Sequence, residues 1–190
     1  MNHSIRPIRV EGNIAYVPLT RGYEAVIDAE DVPIIQFFSW SAKPKPSKVY
    51  AVTGLKSESG NTTVLMHRMI MRYPSGLQVD HIDGDGLNNR KSNLRVATHT
   101  QNMWNRGPQR NSVTGFRGVC WSHREGKWRA RISVNNCKID IGFFDTPEAA
   151  HAAYVRASEK LHGEFAYHKN DVGEMSRRTA ISHGTKSTNS

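Results

Sequence analysis

The sequence has little cysteine, no long apolar run and, over one extended stretch, no acidic residue. Cys120 and Cys137 belong to no CxxC pair, so neither a zinc knuckle nor a disulfide framework is supported, and packed, reduced thiols in a reducing cytosol are expected. No apolar segment approaches the roughly 18 residues of a membrane span, and the opening MNHSIRPIRV lacks the hydrophobic region of a signal peptide. A soluble intracellular protein is expected, cytoplasmic in a bacterial or phage-infected cell and associated with the nucleoid. From Gly86 to Asn111 there are five basic residues and no acid, and from Arg117 to Lys138 six basic residues stand against Glu125 alone. Over all 190 residues, 26 Lys and Arg outweigh 17 Asp and Glu, for a net charge of +9. Such a surplus calls for a polyanionic partner, nucleic acid before an acidic membrane surface, and its concentration in two stretches favours nucleic acid. Residues 1–66 are nearly neutral.

IAYVPLTRGYEAVID, residues 14–28, alternates apolar and polar side chains around TRG and reads as strand, turn, strand. EDVPIIQFFSW follows as a short helix, with Asp31 as its cap, Pro33 in its first turn, and Ile34, Ile35, Phe37 and Phe38 as its apolar mass. KPKPS breaks the pattern. KVYAVTGL and TTVLMHRMIM are two further apolar segments, the second turning helical before Tyr73 and Pro74 stop it. RGPQRNSV, residues 106–113, has no apolar period and is the linker candidate, while the residues after Lys169 have little to bury and read as a mobile tail. No internal repeat is present.

Amid this basic chain, VDHIDGDG at 79–86 concentrates three aspartates and a histidine. A calcium loop starting at Asp83 would need an oxygen ligand at Leu87, glycine at Asn88 and glutamate at Leu94, so the spacing rejects it. The longer stretch lays out as strand (LQVDH), Gly- and Asn-rich loop, strand (NLRVA) and helix. Thr98 and Gln101 form a candidate capping box that would start the helix near His99 and place Asn102 in its first turn.

With His81 ending the first strand, Asn93 starting the second and Asn102 on the helix, the stretch resembles the HNH endonucleases, and within them the HNN branch of phage and intron homing endonucleases. MHRMIMRYPSGLQ and LNNRKSNLR resemble that branch as well, over residues 65–105, and LTRGYEAVIDAED looks like the N-terminal part of such proteins. The resemblance implies a ββα-metal (His-Me) finger. A neutral imidazole at His81 suits the general base that takes a proton from water. Asp80 and Asn102 would hold Mg²⁺, or Mn²⁺, loosely enough to leave positions for phosphate and water. Asn93, grouped with the catalytic residues, is implied to keep the histidine loop in shape. Adjacent strand residues point to opposite faces, so Asp80 and His81 can share a site only where the strand ends and twists. Asp83 and Asp85 read as turn formers, His67 and His99 as surface or locally satisfied residues, Trp104 as core, and Arg90, Lys91, Arg95 and Arg106 as phosphate contacts.

FRGVCWS, KWRARISV and KIDIGFF read as three strands, with NN between the last two suiting a tight hairpin turn, followed by a helix from Thr146 and Pro147 to Gly163 with Ala150, Ala153, Tyr154, Ala157 and Leu161 on its packed side. In the second strand, Trp128, Ala130, Ile132 and Val134 take one parity and Lys127, Arg129, Arg131 and Ser133 the other, so one face can be buried while the other is basic. FRGV, GKWRARI, IGFFDTPEAAHAAY and HGEFA resemble the apetala-type, or ethylene-response-factor, DNA-binding domain. The resemblance implies a sheet laid in the major groove, with Arg117, Arg129, Arg131 and Lys138 facing DNA. The plant-type RGVRQRPWG is replaced by RGVCWSHREG, and Asp140 stands where a tryptophan is expected, so plant sequence preference does not transfer. No metal role is expected for His151, His162 or His168.

An α+β protein is therefore expected: a mixed N-terminal region (1–64), an HNH ββα-metal nuclease (65–107), a linker (108–113), an apetala-type three-stranded sheet plus helix (114–168) and a tail (169–190). Its expected partner is double-stranded DNA, with no membrane, and it would act as a monomer or weak dimer that nicks one strand or cuts both. The rival readings are a non-catalytic, sequence-specific DNA binder whose finger survives as a scaffold, and an RNA-interaction protein that draws only on the basic charge.

Overall fold

The computed structural model describes residues 5–46, 48–57, 60–108, 112–135 and 137–167. The tail, His168, and Arg110 within the linker lie outside them. The chain divides into two compact units, 1–106 and 107–190. It is mixed α and β, built of small antiparallel sheets and few helices. Among the described residues, no helix is long and apolar enough to cross a membrane.

In the first unit, β1 (Arg9–Glu11), β2 (Ile14–Pro18) and β3 (Glu24–Asp28) form a sheet in that order. Alternation along β2 and β3 sends Ala15, Val17, Ala25 and Ile27 inward. The helix α1 (Val32–Ile35) is a single turn. Asp31 precedes it but makes no capping bond; its buried carboxylate instead meets Lys91 Nζ at 2.8 Å. A second sheet has the order β4 (Ser41–Lys45), β5 (Lys48–Ser57), β6 (Gly60–Leu65). KPKPS was expected to interrupt structure, yet Pro44 lies within β4, because an edge strand can spare the N–H that proline lacks. The short α2 (Met66–Ile70) follows β6 directly.

β7 (Gln78–His81) and β8 (Leu94–Ala97) pair antiparallel, and α3 (His99–Trp104) starts on the capping box of Thr98 and Gln101. The loop between β7 and β8 completes the edge of β3: Val26 N donates to Leu87 O at 2.8 Å, and Asn89 N donates to Val26 O at 2.7 Å. Gly86 makes the close approach possible, since a Cβ there would sit 2.3 Å from Val49 O. One apolar core runs through Ala15, Ile27, Ile35, Trp40, Ala51, Met66, Val79 and Leu94. Residues 1–64 and 65–106 thus share a core, because neither the two small N-terminal sheets nor a two-stranded finger buries enough alone.

In the second unit, β9 (Val119–Ser122), β10 (Lys127–Val134) and β11 (Cys137–Phe144) form a sheet with β10 central. α4 (Pro147–His162) is capped by Thr146, whose hydroxyl accepts from Ala149 N at 3.2 Å, and packs on that sheet. Phe116, Val119, Ala130, Ile132, Ala150 and Tyr154 form the core. Leu161, expected on the packed side, is 42% exposed. The buried stripe steps by four through Ala150, Tyr154, Ser158 and His162, as an α-helical face does when the register favours i+4 over i+3. Gly118, at φ +71°, is held by sterics as well, for a Cβ would meet the Tyr154 ring at 2.2 Å.

Candidate active site

Gln78, Asp80 and Arg95 project to the side of β7–β8 that meets α3. Asp80 and Arg95 are directly opposed in the ladder, so their side chains lie on one face. Asp80 Oδ2 accepts from Arg95 Nε at 3.1 Å, Arg95 Nη2 at 2.8 Å and Asn105 Nδ2 at 2.9 Å. All three donors converge on one oxygen and leave Oδ1 clear of them. Asn102 Nδ2 donates to Gln78 Oε1 at 2.6 Å, a contact that uses its amide N–H and not its oxygen.

His81 takes the other face. Its ring packs edge-on against His67, centroids 4.7 Å apart, and beside Tyr50. The strand ends here: Ile82 N donates to Asn93 O and Gly84 N turns back onto His81 O at 3.0 Å. Asn105 links the two faces, because the Nδ2 that bonds the Asp80 carboxylate also donates to His81 O at 2.8 Å. Asn89, fully buried, sits 3.3 Å from His81 Nε2 through Oδ1. Its Nδ2 donates to Leu87 O at 2.9 Å, and a carbonyl can only accept, so the amide orientation is fixed. His81 Nε2 must then carry the proton, and Nδ1 keeps the lone pair.

Asn93 spans the loop. Its Nδ2 donates to Asp83 Oδ1 and Asn88 O, and its Oδ1 accepts from Asp83 N at 3.0 Å. Asp83 and Asp85 each accept a backbone N–H two residues on, at 2.8 and 3.0 Å, as aspartates do in local turns. Burial alone would raise the Asp83 carboxyl, but bonds from the Asp85 N–H, Asn88 and Asn93 outweigh it and hold it low.

Three side chains from earlier in the chain flank this loop. Lys48 Nζ reaches to 3.9 Å from where a Gly84 Cβ would be; burial lowers its pKa, opposed first by Asp80. Tyr50 is raised by burial and by Asp80. Burial, then the neighbouring His81, pushes His67 down to about 3, so it is a neutral wall. Burial lowers His81 as well, with the Asn89 bond opposing.

Of the basic residues read as phosphate contacts, Arg95 is turned inward onto Asp80, with its side chain 10% exposed. Lys91 is held by Glu30 at 2.6 Å and Asp31 at 2.8 Å. Arg90 Nε bonds Asn88 Oδ1 at 3.1 Å, and Arg106 follows α3 with its charge acting on Lys48 and Tyr50. His99 Nδ1 meets Gln78 Nε2 at 3.2 Å.

In the second unit, Arg129 and Arg131 lie on the sheet face away from α4. Lys138 is exposed opposite Ser133, and Arg117 lies beside the Tyr154 hydroxyl. Asp140 is opposed to Arg131, which it binds through Nε at 2.6 Å and Nη2 at 3.1 Å.

Comparison with known proteins gives this arrangement its class. A family model described as HNH endonuclease matches residues 65–104. An uncharacterized HNH endonuclease of Acanthamoeba polyphaga mimivirus is 30% identical over 152 residues, 77% of this chain and 74% of that protein. The chain belongs to the HNH endonuclease family. Protein 3.8 of Escherichia phage T7 is 33% identical over 93 residues, 49% of this chain and 76% of its own length. An SPbeta prophage-derived protein of Bacillus subtilis, named as an HNH homing endonuclease, is 38% identical over 50 residues, 24% of this chain and 29% of that one. No solved structure matches.

Family members generally use a divalent metal. Among the described residues, no three His, Cys, Asp or Glu side chains gather as a cage. A carboxylate and an amide oxygen are hard donors, the chemistry that suits a cation which keeps most of its water. Sequence reasoning passed over Asn89, Asn105, Lys48 and Tyr50. The doubled asparagine at 88–89 and the Asn102–Asn105 spacing of three across the end of α3 were the available signals; Lys48 and Tyr50 carried none.

Proposed function

We propose that this protein is a divalent-metal-dependent DNA endonuclease of the homing type, in which His81 is the general base, Asp80 and Asn102 hold Mg²⁺ or Mn²⁺, and the C-terminal sheet reads duplex DNA. The observation that carries the reading is the contact of His81 Nε2 with Asn89 Oδ1, from which the ring proton is assigned to Nε2. With Nε2–H committed to Asn89, Nδ1 is an available base at the end of β7, and burial keeps the ring neutral at physiological pH.

His81 Nδ1 takes a proton from a water whose oxygen attacks phosphorus; the bond from phosphorus to the 3′ oxygen breaks, and that oxygen is protonated from solvent. The metal, when bound, supplies the counter-charge for the phosphate and the departing oxygen. Asn105 ties the His81 carbonyl to the Asp80 carboxylate, so base and metal holder keep one spacing. Asn93 keeps the loop closed, and the Lys48 ammonium adds positive charge beside it. One finger per chain makes one strand break, and double-strand cleavage takes a second encounter or a weak dimer.

The Asp80–Arg95 pair favours a second reading, a DNA binder whose finger is a scaffold, because the guanidinium already balances the carboxylate. Nicking of supercoiled plasmid with Mg²⁺ and with EDTA, run beside gel-shift binding, separates the two. His81→Ala should lower nicking by about 10²–10⁴-fold and leave binding unchanged. A wild type that binds duplex but nicks in neither Mg²⁺ nor Mn²⁺ decides for the scaffold. For the sheet, Arg129→Glu with Arg131→Glu should weaken binding and reduce the salt slope by about one per arginine.

A further inference from the structure

The open face of the C-terminal sheet carries a feature that simple alternation along its strands would not produce. β10 and β11 pair Ala130 with Gly142 and then Arg131 with Asp140, so Ile141 is the extra residue of a bulge. Without it, Ile141 would oppose Arg131, and Asp140 would oppose Ile132 on the buried face. The bulge re-aims the carboxylate onto the open side, where bulges commonly serve function.

Donor geometry then defines what the pair can do. Asp140 occupies the side-on edge of the Arg131 guanidinium, Nε to Oδ1 at 2.6 Å and Nη2 to Oδ2 at 3.1 Å. The end-on edge, both Nη1 protons and the outer Nη2 proton, is left over. Arg131 is 32% exposed, and Arg129 Nε lies 3.9 Å from the same Oδ1, beyond hydrogen-bond reach, so the carboxylate bonds Arg131 and only attracts Arg129 by charge. A planar guanidinium locked along one edge presents two parallel donors from the other, at the spacing of guanine O6 and N7.

We infer that Asp140 locks Arg131 as a reader of one guanine in the major groove, which makes Asp140 a specificity-determining residue for this endonuclease. The inference rests on the reading of this sheet as the DNA surface. It separates two roles within one patch: Arg131 selects a base, whereas Asp140 gives up attraction for phosphate in exchange for a defined guanidinium orientation. Removing Asp140 should therefore move specificity and total affinity in opposite directions, which loss of a merely structural contact would not do.

The test is selection of bound sites from a randomised duplex DNA library by the full chain in EDTA, followed by competition at each position. Wild type should select a site with one guanine preferred by about tenfold or more over the other bases. Asp140→Asn, Asp140→Ala and Arg131→Lys should each flatten that preference at the same position to less than about threefold and spare the others, while both Asp140 variants bind unselected duplex at low salt as well as or better than wild type. Preferences unchanged in Asp140→Ala, or altered at a position that Arg131→Lys leaves intact, overturn the inference while the DNA surface stands. If Arg129→Glu with Arg131→Glu binds the library like wild type, the DNA surface itself falls, and the inference with it. Circular dichroism melting checks that each variant is folded.

Discussion

Two Asp–Arg pairs in this protein share one local plan and differ in nearly everything else. Asp80 faces Arg95 across β7–β8, and Asp140 faces Arg131 across β10–β11. The first pair is almost sealed, with side chains 2% and 10% exposed; the second is open, at 43% and 32%. Identical chemistry at identical register therefore carries different consequences. In the buried pair each charge has lost water, so either partner left alone is costly. In the open pair water and salt screen both charges, so the bond orients a side chain more than it holds the fold. The first pair is enclosed between β7–β8 and α3, and the second lies open on the face of the β9–β11 sheet.

The sharpest way to break this comparison is to remove the carboxylates one at a time. Asp80→Ala strands the Arg95 guanidinium and Asn105 amide in a buried site and should destabilise the first unit by about 3–5 kcal/mol in urea unfolding. An Asp80→Ala variant as stable as wild type would mean that burial does not set the difference. Next comes acid. Unfolded, His67 takes its proton near the ordinary histidine pKa, whereas folded it stays neutral down to about 3. Between those values the unfolded chain binds more protons, so stability is complete above the ordinary pKa and declines as pH falls through that window. The loss should reach about 2 kcal/mol by pH 5 from His67 alone, and His67→Phe should blunt it. The decline should appear in the first unit's transition and add to that of His81, whose pKa burial also lowers. The smallest effect is expected at Asp140→Ala, which should leave the second unit's melting midpoint within error of wild type while changing its site selection.

How far the residues alone carry differs between elements. The strand, loop, strand and helix of 78–104 were legible because alternation, Asx turns and the Thr98–Gln101 box act within a few positions. The α4 boundaries at Thr146 and Gly163 were legible for the same reason. Its buried face was legible at Ala150, Ala153, Tyr154 and Ala157 but not at its C-terminal end, where Leu161 outranks Ser158 and His162 in apolarity yet lies off the stripe. The KPKPS segment misled because proline is compatible with a strand only at an edge, and edge position is a property of the sheet. Arg95 read as a phosphate contact because a basic residue beside a nuclease motif usually faces solvent; its register partner turned it inward.

The order of acid, imidazole and amide groups from Asp80 to Asn102, the turns between them and the basic parity of β10 were determined by sequence, because each rests on interactions between near neighbours. Tertiary structure decided the rest: that His67 and Tyr50 wall in His81, that Asn89 fixes its tautomer, and that a bulge turns Asp140 outward. Those outcomes depend on strand register and on how much water each charge loses, and neither is set until distant segments meet.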